Sequence, residues 1–190
     1  MNKSASALVI YLILIVLVAT NAIADEKRYK RSEETYTVPD VVLVNQNREP
    51  IRLVEILNSD KPVLLDFIYG TCTTICPILS AGYSNLQRKL GADSGQIQLV
   101  SISIDPEYDT PDVMTEYLAR YQAKPGWDYL TGSREDIDKV TKAFDAYVQD
   151  KMSHYPLTLI RSPDGSKWVR IYGLVGTSEL MQEYEALYKK

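Results

Sequence analysis

The sequence has no excess of basic charge, no apolar run long enough to span a membrane, and little cysteine. Its net charge of −4 argues against a nucleic-acid partner, which would require a basic surface. The apolar run at residues 5–19 is shorter than the roughly 20 residues of a transmembrane helix. The two cysteines, Cys72 and Cys76, are close in sequence, and a disulfide that closes so short a loop adds little stability. Such a pair suits a redox couple or a metal site better than a structural bridge.

The N-terminal segment has the three parts of a secretory signal. Lys3 precedes the apolar run, and Ala22-Ile23-Ala24 supplies small residues before a charged stretch. We therefore expect a signal peptide at 1–24, with an uncleaved anchor as the alternative. Residues 25–37 are polar and predict a flexible lead-in, whereas 38–190 have the length of a single domain. Export would place the protein in the periplasm, either free or attached to the inner membrane.

Apolar periodicity and turn residues predict the secondary structure of this domain. Strands are expected at 41–44, 51–53, 63–68, 97–104, 127–130, 157–160 and 168–172. Helices are expected at about 76–90, 111–121, 134–147 and 178–188. The alternating start and the hairpin near the end predict an α/β fold: a thioredoxin-like mixed sheet flanked by helices. An N-terminal β-hairpin and an inserted strand–helix segment after Ile104 would be additions to that sheet.

The two cysteines are expected at the junction between the 63–68 strand and the helix that follows it. Pro77 is a residue favoured at the first helical position, so Cys76 should lie at the helix N-terminus. Unpaired N–H groups and the helix dipole stabilise negative charge there, and we expect a thiolate at Cys76. Thiolates are needed for both disulfide exchange and metal binding. The sequence thus predicts a redox pair able to form a Cys72–Cys76 disulfide, or two ligands of one metal ion.

The one histidine, His154, precedes the strand expected at 157–160. A lone histidine is more often a surface or packed residue than a ligand, but in a thioredoxin-like sheet this loop lies beside the cysteines. Two thiolates and one imidazole would suit Cu(I), and also Cu(II) or Zn. Pro156 lies near the position where redox thioredoxins carry a cis-proline. A cis Tyr155–Pro156 bond would shape the loop for a thiol substrate rather than for a metal.

Four segments together resemble the Sco/SenC family of copper-binding assembly proteins for cytochrome c oxidase. They occur in the order FIYGTCTTICP, SISIDPEYDTPDVMTEYLARY, WDYLTGSREDIDKVTKAF and HYPLTLIRSPDG. The resemblance implies a thioredoxin fold and one copper per chain, Cu(I) or Cu(II), bound by Cys72, Cys76 and His154. It also implies the copper-site subunit of cytochrome c oxidase as a partner. Another copper chaperone or a thiol reductant would be a further partner.

The residues and the resemblance leave the function open between two main hypotheses. The first is a metallochaperone that helps to assemble the binuclear copper site of the oxidase. The second is a thiol:disulfide oxidoreductase acting on exported cysteines, with Cys72 and Cys76 as its catalytic pair. A thiol peroxidase is the weakest alternative, because no arginine and threonine accompany the cysteines in the pattern that a peroxidatic site requires.

Overall fold

The computed structural model describes residues 29–188, and the predicted signal segment at 1–24 lies outside this range. The described part of the chain contains eight strands and five α-helices. The strands are β1 Tyr29–Glu34, β2 Val42–Asn45, β3 Pro50–Arg52, β4 Val63–Ile68, β5 Gln98–Ser103, β6 Trp127–Thr131, β7 Leu157–Arg161 and β8 Trp168–Gly173. The helices are α1 Leu53–Leu57, α2 Cys76–Leu90, α3 Pro111–Arg120, α4 Arg134–Ala143 and α5 Thr177–Tyr188.

The strands form one mixed sheet in the order β1-β8-β7-β4-β5-β6-β2-β3. Strand β4 lies in the middle, and all six of its residues are buried, which fits the mostly apolar sequence of residues 63–68. It pairs in parallel with β5 and antiparallel with β7. Strand β5 pairs in parallel with β6, whereas β7–β8 and β2–β3 are antiparallel hairpins. The thioredoxin-like α/β fold, the N-terminal hairpin and the inserted segment are therefore confirmed.

Helices cover both faces of the sheet. On one face, α2 packs against α3, where the Ser80 and Tyr117 hydroxyls lie 2.7 Å apart. On the other face, Phe144 at the C-terminal end of α4 packs on Phe67 of β4, with ring centroids 6.1 Å apart. Neighbouring residues of a strand point to opposite faces, so Asp66 lies on the α2 side of the sheet. The core thus has two layers that meet at β4.

The predicted helix ends are confirmed where capping residues define them. The Thr110 side chain accepts a hydrogen bond from the Val113 N–H before Pro111 opens α3. The Ser133 side chain accepts one from the Asp136 N–H at the start of α4. Helix α2 ends at Gly91, whose φ of 59° is in the left-handed region that favours glycine.

Three details of the predicted secondary structure are wrong. Tyr29–Glu34, expected within a flexible lead-in, instead forms edge strand β1 against β8, and its charged sequence is typical of an exposed edge. Leu53, expected in a strand, begins α1, because Leu53 and Leu57 are one helical turn apart and both are buried. The helix expected at about 134–147 is shorter, because α4 ends at Ala143 and Tyr147 beyond it is 43% exposed.

Within residues 29–188, no helix combines the length and the apolar character needed to cross a bilayer.

Candidate metal centre

The loop between β4 and α2 places both cysteines at one end of the sheet. The chain leaves β4 after Ile68, and the Cys72 N–H donates to the Tyr69 carbonyl in a turn. Cys76 is the first residue of α2 and Pro77 the second, so the expected strand-to-helix junction is confirmed. Cys72 is 6% exposed and Cys76 is fully buried. Both are free thiols in this structure, and the Cys72–Cys76 disulfide stays a prediction.

His154 reaches the cysteines from the chain segment that enters β7. A short 3₁₀ turn at Lys151–Ser153 precedes it, and β7 is the antiparallel neighbour of β4. The two strand ends therefore meet, although 78 residues separate Cys76 and His154 in sequence. His154 Nε2 lies 3.2 Å from the Cys76 sulfur and 3.8 Å from the Cys72 sulfur.

The ligand atoms of Cys72, Cys76 and His154 all lie within 4.8 Å of one another. We call these residues the thiol–imidazole cluster. His154 Nδ1 lies 2.7 Å from the Lys151 carbonyl, which can only accept, so Nδ1 carries the proton. Nε2 therefore presents a lone pair to the two sulfurs. Two sulfurs and one neutral nitrogen form a donor set for a soft or borderline ion such as copper or zinc.

The two thiols have opposite pKa shifts, and the expectation of a thiolate at Cys76 is wrong. Burial raises the pKa of the Cys76 thiol strongly, and the adjacent Cys72 sulfur raises it further. Burial also acts to raise the pKa of Cys72. Hydrogen bonds from the Cys76 thiol, the Cys76 N–H and Thr74 outweigh it, so the pKa of Cys72 falls below its usual value. The start of α2 thus favours the thiolate form of Cys72, four residues earlier, rather than that of Cys76 itself.

His154 is suited to remain a neutral ligand. Burial lowers its pKa, and the hydrogen bond to the Lys151 carbonyl offsets this only in part. The imidazolium form is therefore disfavoured at neutral pH. The Lys151 carbonyl also fixes the ring orientation, which is the role that an outer hydrogen-bond partner has in many metal sites.

A second buried group fixes the start of the cysteine loop. One carboxylate oxygen of Asp109 accepts from the Gly70 N–H at 2.9 Å. The other accepts from the Ser103 hydroxyl at 2.6 Å and from the Tyr129 hydroxyl at 2.7 Å. A Cβ on Gly70 would lie 2.7 Å from the Asp109 carboxylate, so the close approach requires glycine. We call Asp109 and these three donors the Asp109 cluster.

Sequence reasoning missed Tyr69, Met152 and Asp109 as parts of this region. The Tyr69 ring lies edge-on to the His154 ring, with centroids 4.9 Å apart, and its hydroxyl donates to the Met152 sulfur at 3.3 Å. Asp109 belongs to a segment that carried the family resemblance but had no assigned role. The cis Tyr155–Pro156 bond, considered as an alternative that would shape the loop for a thiol substrate, does not occur: every peptide bond within residues 29–188 is trans.

The fold and the cluster together define a class: thioredoxin-like proteins in which two thiols and one imidazole converge at the N-terminus of a helix. The sequence profile of the SCO1/SenC family matches residues 30–187. The chain belongs to the SCO1/SenC family.

Individual relatives agree with this assignment. The SCO1 protein homolog of Bacillus subtilis is 33% identical over 138 residues, which cover 68% of this chain and 70% of the relative. BsSco, described as a Sco-family cytochrome c oxidase assembly protein with a disulfide switch, superimposes with a TM-score of 0.67 at 28% identity. The superposition covers 82% of this chain and 95% of BsSco. Copper-bound ScoI of Bradyrhizobium japonicum superimposes with a TM-score of 0.64 at 27% identity. The superposition covers 80% of this chain and 99% of ScoI.

Proposed function

We propose that this protein is an exported copper metallochaperone that helps to assemble the binuclear copper site of cytochrome c oxidase. One copper ion, bound by Cys72, Cys76 and His154, would be its cargo. The observation that carries the proposal is the convergence of two sulfurs and one lone-pair nitrogen within 4.8 Å. The copper-bound relative ScoI and the oxidase-assembly role given to BsSco support it.

The donor set suits both oxidation states of copper to different degrees. Cu(I) is soft and accepts low coordination, so two thiolates and a neutral imidazole satisfy it with a net charge of −1. Cu(II) favours nitrogen ligands and a fuller coordination shell. Copper binding requires both thiols to lose their protons, and the lowered pKa of Cys72 makes it the first to do so.

A second function, thiol:disulfide exchange, is favoured by the unequal thiols. Attack on a disulfide requires a thiolate, and Cys72 is the thiol with a lowered pKa. Cys72 would attack the target disulfide and release one target thiolate. Cys76, which burial holds as a thiol, would then pass its proton to that thiolate and close the Cys72–Cys76 disulfide, which releases the second target sulfur. The target would be the cysteine pair of the oxidase copper site. The oxidised form cannot bind copper through these sulfurs, so one protein could alternate between the two tasks.

The compartment and the partners belong to the same proposal. A signal or anchor at residues 1–24 would place the domain in the periplasm, free or at the inner membrane. The oxidase copper-site subunit would receive the copper or the electrons. Another copper chaperone would supply the metal, and a thiol reductant would restore the two thiols.

The test uses the soluble copper-site domain of the oxidase subunit as the recipient. The protein, reduced and loaded with one equivalent of Cu(I), is mixed with the reduced recipient, and copper is measured on each after separation. Copper should move to the recipient. The metal-free, reduced protein mixed with the oxidised recipient tests the second function, because free thiols should then appear on the recipient. If neither copper nor thiols appear on the recipient, the proposal is wrong.

A further inference from the structure

Met152 places a thioether at the rim of the thiol–imidazole cluster. It lies two residues before His154, and it is 71% exposed. The two other methionines in the described part of the chain lie elsewhere: Met114 is fully buried in α3, and Met181 is half-buried in α5. An exposed methionine normally has a mobile side chain without polar contacts. The Met152 sulfur instead accepts a hydrogen bond from the Tyr69 hydroxyl at 3.3 Å.

Tyr69 connects this thioether to the cluster. Its side chain is only 3% exposed, and its ring contacts the His154 ring edge-on. Burial, and after it the Cys72 sulfur that its hydroxyl faces, together raise the pKa of Tyr69 to about 12. The Tyr69 hydroxyl thus lies between the Met152 thioether and the Cys72 thiol. A third sulfur is therefore connected to the cluster through the Tyr69 side chain.

The order of exposure sets the order in which an arriving ion meets the ligands. Cys76 is fully buried and Cys72 nearly so, whereas His154 is half-buried and Met152 is exposed. A thioether is a soft ligand that carries no proton, so it can contact Cu(I) without any prior ionisation. The thiols bind more tightly but must first lose their protons. A weak, exposed, proton-free ligand in front of strong, buried ones is suited to transfer rather than storage.

We infer that Met152 is the outer ligand through which Cu(I) arrives at and leaves the thiol–imidazole cluster, and that Tyr69 positions it. The inference rests on the proposed function. In loading, a bond forms between Cu(I) and the Met152 sulfur as one ligand of the donor leaves, and His154 Nε2 adds next. Cys72 and Cys76 then each release a proton to water as their sulfurs bind and displace the donor's remaining ligands, and the thioether returns to the Tyr69 hydroxyl. Copper remains Cu(I) throughout, so no electron is transferred.

The test is the kinetics of Cu(I) exchange with a chromogenic Cu(I) chelator, followed by stopped-flow absorbance. Met152→Leu keeps the size and apolar character of the side chain but removes the sulfur, and Met181→Leu is the matched control. We expect Met152→Leu to slow both uptake and release about tenfold, which is about 1.4 kcal/mol of barrier. The equilibrium Kd and the Met181→Leu rates should stay at parental values.

Each other outcome overturns the inference. Parental rates in Met152→Leu would mean that the thioether takes no part in transfer. Faster release together with a weaker Kd would make Met152 a resident ligand instead. If the parent itself fails to bind Cu(I), the proposed function fails, and this is measured before any variant is compared.

A double-mutant cycle tests the part assigned to Tyr69. Tyr69→Phe removes the hydroxyl but keeps the ring that contacts His154. If Tyr69 acts by positioning the thioether, Tyr69→Phe in the Met152→Leu background should slow exchange no further. Additive slowing would show that Tyr69 acts independently of Met152.

Discussion

The thiol–imidazole cluster and the Asp109 cluster lie at the same end of the sheet and differ in how fully their polar atoms are paired. Both carboxylate oxygens of Asp109 accept hydrogen bonds, three in total, from Gly70, Ser103 and Tyr129. In the thiol–imidazole cluster the two sulfurs lie 3.2 and 3.8 Å from His154 Nε2, whose lone pair faces only these thiols. A cluster whose polar atoms are all hydrogen-bonded can support a loop, whereas a cluster with an unused lone pair keeps the capacity to bind a metal ion.

The connection between the clusters is the Gly70 N–H, two residues before Cys72. Asp109 fixes the backbone where the cysteine loop begins, and the loop and α2 then place the sulfurs. On this account, changes in the thiol–imidazole cluster should remove copper binding and leave the fold intact. Changes in the Asp109 cluster should destabilise the fold first.

The largest effect is expected for Cys76→Ser. A hydroxyl is a poor ligand for a soft ion, so tight binding of Cu(I) and Cu(II) should be lost. The free energy of unfolding should change by only about 1 kcal/mol, because the hydroxyl can form a hydrogen bond with His154. Copper titration and urea unfolding of the same preparation measure both. A loss of stability of several kcal/mol would mean that the cysteine is structural.

The Asp109→Ala variant should show the opposite pattern. It leaves the Ser103 O–H, the Tyr129 O–H and the Gly70 N–H without an acceptor in the interior, so we expect a loss of about 3–5 kcal/mol in the free energy of unfolding. Asp112→Ala is the control, since Asp112 is an exposed acid in the neighbouring helix α3 that pairs with Arg48 on the surface. It should cost about 1 kcal/mol or less. Equal losses in the two variants would contradict the support role of Asp109.

A second buried acid, Asp66, extends the comparison because it lacks the hydrogen-bond partners that Asp109 has. It is fully buried in β4, and neither carboxyl oxygen accepts a hydrogen bond of normal geometry. Burial raises the pKa of Asp66 from 3.8 to about 7, and the Ser101 hydroxyl, which acts to lower this pKa, has a weaker effect. Between these two pH values the folded state keeps a proton that the unfolded state has lost. Stability should therefore fall as pH rises from about 4 to about 7.

Asp66→Asn should remove this part of the pH dependence. The contribution is at most about 4 kcal/mol, from about 3 pKa units at 1.36 kcal/mol each. Urea unfolding at pH 4, 5.5 and 7 measures it, with the exposed Asp93→Asn as the matched control. If the parent is equally stable across this range, or if Asp66→Asn retains the parental slope, the assignment to Asp66 is incorrect.

Much of this architecture is predictable from the sequence because local patterns specify it. The apolar run of β4, the caps at Thr110 and Ser133, and the Cys76-Pro77 step each define an element from neighbouring residues. The approach of His154 to the cysteines follows from the topology, since it precedes a strand that must pair beside β4. The edge strand β1 gave no such signal, because a charged, one-sided strand lacks the apolar alternation of a buried one.

The chemical details were beyond the sequence because they depend on burial and long-range contacts. Helix position alone favoured a thiolate at Cys76, but its complete burial reverses the preference, and Cys72 benefits instead. Asp109 and Gly70 meet across 39 positions, and Tyr69 and Met152 across 83. No periodicity or motif links such pairs. The donor types were therefore predictable, whereas their protonation and their supporting contacts were not.

The most direct test of the central claim is copper titration of the reduced parent and of His154→Ala, with each oxidation state in turn. The chain has one histidine, so an imidazole nitrogen signal in the electron paramagnetic resonance spectrum of the Cu(II)-bound parent should be missing from His154→Ala. The parent should bind one copper per chain. His154→Ala should weaken the binding of Cu(II) by more than the 10–100-fold that is typical when an outer hydrogen-bond partner of a ligand is removed. The binding of Cu(I) should weaken less than that of Cu(II). Binding of Cu(II) by His154→Ala as tightly as by the parent would contradict the three-residue centre.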